Sequence, residues 1–158
     1  FKKIGVSVYT NEELEALLSD DLISVVQLPF NMLDNANLRA TMLMALKDSG
    51  KEIHTRSCFL QGLFFKDSNA LPEKLEPLRF YLDEIKSIAN DNKLDIGHLA
   101  LQYCLTKPYI DKVLIGVESM EQLNLNLQWS SVVIKAEALL AIDQINVATI
   151  ELLNPSKW

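Results

Sequence analysis

The chain has 158 residues, with 15 Lys and Arg against 21 Asp and Glu and a formal net charge of -6. Apolar residues make up 49% and charged residues 23%, the balance of a globular chain rather than a disordered or low-complexity one. The acidic balance argues against a nucleic-acid partner, which needs clustered Lys and Arg, and no apolar run reaches the roughly 18 residues of a membrane span. Cys58 and Cys104 are far apart and form no Cys-x-x-Cys pattern, which favours a reducing, cytoplasmic setting. Length favours one domain. The chain starts at Phe1 rather than Met, shows no signal peptide and runs straight into an apolar strand, as a piece of a longer chain would.

Taken in order, short β-rich runs alternate with helical patterns. The first run is Ile4 to Tyr9. Thr10 and Glu13 form a capping box ahead of the apolar stripe Leu14, Leu17 and Leu18. The second run, Ile23 to Leu28, stops at Pro29, and Asn35 to Ser49 reads as a helix closed by Gly50. The third run is Glu52 to Ser57. A helical stretch from about Pro77 to Asn90 follows, then one from an Asp95 N-cap to Leu105. The fourth run is Lys112 to Gly116. Ser119 and Gln122 form another capping box for a helix to about Leu127, and a last helix covers roughly Lys135 to Leu152.

Strand then helix, four times over, predicts an α/β fold of parallel (β/α) units joined by right-handed crossovers. Two architectures fit: a small open doubly wound sheet, or half of a (β/α)8 TIM-type barrel, whose complete form takes about 250 residues. In either, ligands gather at the C-terminal ends of the strands. Those ends carry Ser7, Gln27, Arg56 with Ser57, and Gly116 to Ser119.

Gln27 ends a Val-Val strand and must satisfy both an amide donor and a carbonyl acceptor; a carboxamide ligand would pair with both, although bonding to loop backbone is the commoner role. Arg56 at a strand end needs an anion or an aromatic face, and a neighbouring Asp or Glu is the commoner partner. Ser119 at a helix N-terminus suits a phosphate, but most such serines only cap. Cys58 beside Arg56 reads as a buried, inert thiol before it reads as a nucleophile. His54 and His98 share no ligand spacing and read as structural, and Trp129 and Trp158 as packing residues. No Gly-x-Gly-x-x-Gly, P-loop or Gly-x-Ser-x-Gly motif occurs.

Four segments, in order and spacing, resemble the C-terminal half of an aldo-keto reductase, barrel strands five to eight. They are Ile4 to Tyr9, Val26 to Asn31, Arg56 to Leu63, and Leu114 to Leu123 with Asn126. The resemblance runs from Ile4 to about Asn126 and implies carbonyl reduction with a nicotinamide cofactor, NADP(H) more often than NAD(H). It implies that Ser7 and Gln27 hold the nicotinamide carboxamide and that Arg56 takes the position under the ring. Ser57, Leu60 and Gly62 would line the pyrophosphate loop, and Gly116, Ser119, Gln122 and Asn126 would hold the adenosine end. Two departures stand out. Val8 replaces a frequent Asn, and Gly116 and Gln122 replace the Lys or Arg frequent in NADP-selective relatives.

The family's catalytic Asp, Tyr, Lys and His belong to the other half. The resemblance therefore implies no catalytic residue in this chain, no reductase activity alone and weak cofactor binding; the histidine spacing already argues against a metal site. The expected partners are the other half of the barrel or a second copy, and a small carbonyl substrate for the parent enzyme. The competing readings are a non-catalytic half-barrel assembly domain and a complete doubly wound binding domain. A half-barrel would also leave interior side chains wet, and several hundred Å2 of apolar face would cost on the order of 10 kcal/mol.

Overall fold

The structure, a computed structural model, describes residues 1–158. Four strands pair in chain order and all in parallel: β1 (Gly5–Ser7), β2 (Val25–Pro29), β3 (Glu52–Arg56) and β4 (Lys112–Val113). The helices are α1 (Asn11–Ala16), α2 (Ala36–Asp48), α3 (Arg79–Asp91), α4 (Ile96–Leu105), α5 (Met120–Ser131) and α6 (Ala136–Asp143). Parallel neighbours need a crossover between them, and each crossover here carries at least one helix. None of the helices is long and apolar enough to cross a membrane.

The period-2 geometry of a strand sends alternate side chains to opposite faces. On one face Val26, Leu28 and Ile53 are wholly buried, in one continuous core with Leu43 and Leu46 of α2 and Leu99 and Ala100 of α4. The opposite face carries Ser7, Gln27, Glu52, His54 and Arg56, all partly or fully exposed. This face is mostly polar, with Val25 and Pro29 the apolar residues of β2 among these groups. That corrects the expectation of a large wet apolar interior: the strands set their aliphatic residues on the helix side and polar ones on the open side.

Local signals explain most of the elements. The Thr10 hydroxyl accepts from Glu13 N–H while the Glu13 carboxylate accepts from Thr10 N–H, so the capping box is complete. Gly50 ends α2 at a φ of 86°, where its missing side chain removes the steric penalty. Asp95 occupies the N-cap of α4 but its carboxylate makes no capping bond. At α5, Ser119 Oγ accepts from Gln122 N–H, and Gln122 Oε1 accepts from the N–H of Glu118 at 2.8 Å, one residue earlier than a capping box requires.

Three elements are shorter than the sequence patterns suggest. β1 covers Gly5–Ser7, although Val8 N–H still donates to Gln27 O at 2.9 Å. β4 covers only Lys112–Val113, because its neighbour ends at Arg56 and the chain turns at Ser57, where φ is 61°. Leu114 N–H makes the last bond across, to Thr55 O at 2.7 Å. The final helix stops at Asp143 rather than running to Leu152. Asn35 Nδ2 donates to the carbonyls of Ile142 (3.0 Å) and Ile145 (2.8 Å), taking the acceptors that further turns would use. Ile145 and Val147 are both buried, an alternation that an extended segment allows and a helix does not.

Candidate functional site

At the C-terminal ends of β3 and β4 the sheet opens into a cleft of about 840 Å3. One wall is the segment after β3, from Arg56 to Phe65. The other is the segment after β4, from Leu114 to Glu118, with one side of α5. The volume falls within the roughly 300–1,000 Å3 range typical of small-molecule sites.

The floor is shaped by unusual backbone. Ser57, Leu60, Gln61 and Gly62 all have positive φ, at 61°, 45°, 54° and 78°. For the three residues with side chains such conformations cost on the order of 1–3 kcal/mol each, so the fold around them enforces the turn. Leu60 supplies the anchor: its side chain is wholly buried in the core, below the cleft rather than in its lining. Leu60 N–H donates to Ser57 O and Gly62 N–H to Phe59 O, both at 2.9 Å, which closes the turn on itself.

Arg56 stands at the entrance to this turn. Its guanidinium lies 4.3 Å from the centroid of the Tyr9 ring, within the range of a cation–π contact. It makes no salt bridge with any carboxylate, contrary to the commoner expectation for a strand-end arginine. Nε donates to Ser7 Oγ at 3.4 Å and Nη1 to Ser57 Oγ at 3.5 Å, both long bonds. Ser7 Oγ in turn donates to Gln27 Oε1 at 3.3 Å. The Gln27 amide therefore bonds a neighbouring side chain rather than loop backbone, and its N–H2 group remains available. Ser7, Gln27 and Arg56 form one polar chain across β1, β2 and β3, leading into the cleft.

Six of the residues singled out in the sequence line the cleft: Arg56, Ser57, Gly62, Gly116, Gln122 and Asn126. Ser7 and Gln27 adjoin it through Arg56, whereas Ser119 is occupied as the α5 cap. Sequence reading passed over the apolar lining, Phe59, Phe65 and Leu125, and the Trp129 indole, read there only as packing. Glu118, part of the polar strand end Gly116 to Ser119 marked in the sequence, also lines the cleft. Tyr9, the aromatic support of Arg56, was visible only as the end of a strand.

Cys58 borders the cleft but is buried, and its thiol donates to Ala100 O at 3.3 Å. Its interaction with Cys104, together with burial, pushes the thiol well above its ordinary value, so it is not a nucleophile. Two other clusters hold the frame. Asp34 pairs with Arg39 at 2.6 and 3.0 Å, and Arg39 also donates to Tyr9 O and Asn11. Burial raises the Asp34 carboxyl, and Arg39 opposes that shift. On the open face Glu52 meets Lys3, His54 and Lys112, which together hold its carboxyl far below the ordinary range. His98 Nε2 bonds Val132 O at 2.8 Å. No group of three His, Cys, Asp or Glu side chains is placed to hold a metal ion.

The cleft has the parts of a binding site. Arg56 and Glu118 are its only charged side chains, and no Tyr, His, Lys or Asp lines it. Tyr103 and Tyr109 lie in the core, and burial raises both hydroxyls, the reverse of what an acid catalyst needs.

The model of the aldo/keto reductase family matches residues 1–147. No curated protein matches the chain. Among solved structures, the apo form of the aldo-keto reductase AKR11C1 from Bacillus halodurans matches with a TM-score of 0.70 and 21% identity, over 90% of this chain and 50% of that one. Its holo form matches with a TM-score of 0.69 and 21% identity, over 90% of this chain and 49% of that one. The chain thus spans about half the length of these structures, and its four parallel (β/α) units are half of a TIM-type barrel.

Proposed function

Because the chain belongs to the aldo/keto reductase family, we propose that it forms the cofactor-binding half of an enzyme that reduces carbonyls by hydride transfer from a nicotinamide dinucleotide. The observation that supports this most is the cleft itself, which runs from an arginine with no carboxylate partner, past a left-handed turn, to the amides of Gln122 and Asn126.

The lining fits such a cofactor. Arg56 and the turn from Ser57 to Gly62 suit an anionic pyrophosphate. The free Gln27 amide and the Ser7 hydroxyl suit a carboxamide. Gly116, Gln122 and Asn126 suit the neutral hydrogen-bonding groups of an adenosine, with Ser119 holding the helix start in place. When bound, the cofactor supplies the hydride. The chain's own residues bind and orient it and exclude water along the apolar wall of Phe59, Phe65 and Leu125. The general family resemblance favours NADP(H).

The resemblance puts the family's catalytic Asp, Tyr, Lys and His in the other half, so the chain alone is expected to bind cofactor weakly and to turn over no substrate. Its partner is the surface that completes the barrel, either the other half or a second copy, and the parent's substrate is a small carbonyl compound. The test pairs calorimetric titration of reduced cofactor with an assay of cofactor consumption across a panel of aldehydes. The expected result is saturable binding, weakened about tenfold or more in Arg56→Met, with no turnover. Absence of binding would overturn the assignment of the cleft, and robust turnover would overturn the assignment of the chain as non-catalytic.

A further inference from the structure

We propose that the cleft selects NAD(H) over NADP(H), with Glu118 as the discriminating residue; this rests on the cleft being the dinucleotide site. It reverses the preference that the resemblance alone implies.

The argument is the distribution of charge. The cleft has one cation, Arg56, at the end of β3, and one carboxylate, Glu118, in the turn that leads into α5. The other polar side chains on the α5 wall, Gln122 and Asn126, are neutral amides. A pyrophosphate draws on the one cation, which leaves the group beside Glu118 to tolerate a carboxylate. A ribose with free hydroxyls does so, because its 2′-OH donates to the acid. A 2′-phosphate does not. It carries about -1.5 to -2 charges, and no second Lys or Arg lines the cleft to neutralise it.

Glu118 is also held in place. Its N–H donates to Gln122 Oε1 at 2.8 Å, and Gln122 N–H donates to Ser119 Oγ at 3.2 Å, which braces the turn against the first turn of α5. The Glu118 carboxylate forms no ion pair and no hydrogen bond within the chain, so its acceptor capacity faces the ligand or water. The Gln122 carbonyl is already used, leaving its N–H2 group as a neutral donor.

The experiment titrates NADH and NADPH separately into the intact chain by calorimetry, then repeats both with Glu118→Lys and with Gln122→Arg. NADH is expected to bind about tenfold or more tighter than NADPH, and Glu118→Lys is expected to bring NADPH to parity or beyond. Gln122→Arg adds a cation to the same wall while keeping Glu118. It is expected to improve NADPH binding even if the first variant fails to fold. Equal or tighter NADPH binding by the unaltered chain would overturn the selectivity while leaving the cleft assignment standing. So would an unchanged ratio in a folded Glu118→Lys variant. Binding of neither dinucleotide would overturn the cleft assignment and the selectivity together.

Discussion

Gly97, in the first turn of α4, lies directly beneath the indole of Trp129, so that a Cβ at this glycine would sit 2.3 Å from Trp129 Cη2 and 3.2 Å from Phe65 Cε1. The aromatic wall of the cleft therefore depends on an absent side chain. Gly97→Ala gains up to about 1 kcal/mol of helix propensity but overpacks the contact, at a cost of about 1–3 kcal/mol. The expected outcome is a net loss in urea unfolding, together with a red-shifted tryptophan emission as the indole moves outward. Emission and midpoint both unchanged would mean that the wall yields freely.

Tyr103 ties three helices together. Its hydroxyl donates to Asp143 Oδ1 at 2.6 Å and accepts from Ala36 N–H at 2.8 Å, while its ring stacks on Phe30 with centroids 5.6 Å apart. Tyr103→Phe keeps the ring and strands the Ala36 N–H, with Asp143 still bonded to Lys107. A loss of about 1–3 kcal/mol in chemical denaturation is expected. A neutral result would show that water replaces the hydroxyl.

These two contacts mark the limit of what the sequence discloses. Strand order and direction were legible because the apolar runs and capping boxes are local, and Thr10 with Glu13 shows this directly. The break after Asp143 was not, because it depends on Asn35, more than a hundred residues away in the chain. The polar ends of the strands pointed to Ser7, Gln27 and Arg56. The support of Arg56 by Tyr9, and the entry of Trp129 and Glu118 into the cleft, are tertiary contacts with no sequence period of their own. Leu60 fails as a lining residue for a related reason: its positive φ turns the side chain into the core.

Glu52 gives the open face a pH dependence. Hydrogen bonds from Lys112, then Lys3 and His54, hold its carboxyl far below the ordinary range. A carboxyl depressed in the folded state stabilises the fold fully above its unfolded pKa of about 4.3, and that contribution is lost as pH falls toward the folded value. The urea midpoint is therefore expected to drop on acidification below about pH 4.3, and to drop less in Glu52→Gln. Parallel pH profiles for the two proteins would show that other carboxylates carry the acid sensitivity.

The outer edges of β1 and β4 leave backbone N–H and C=O groups without a strand partner, and edges of that kind recruit another chain. Two features weaken the attraction. The edge strands are only three and two residues long, with Lys3 shortly before β1 and Lys112 within β4. The open face between them presents Gln27, Glu52, His54 and Arg56 rather than aliphatic side chains, so little apolar burial drives docking. A few edge hydrogen bonds, each worth about 0.5–1.5 kcal/mol net, support association no tighter than about millimolar. Sedimentation velocity over a wide concentration series is expected to show a boundary that moves from monomer toward dimer as concentration rises. A single monomeric boundary throughout, with a sharp cooperative melt, would mean that the short charged edges suffice to keep the sheet solitary.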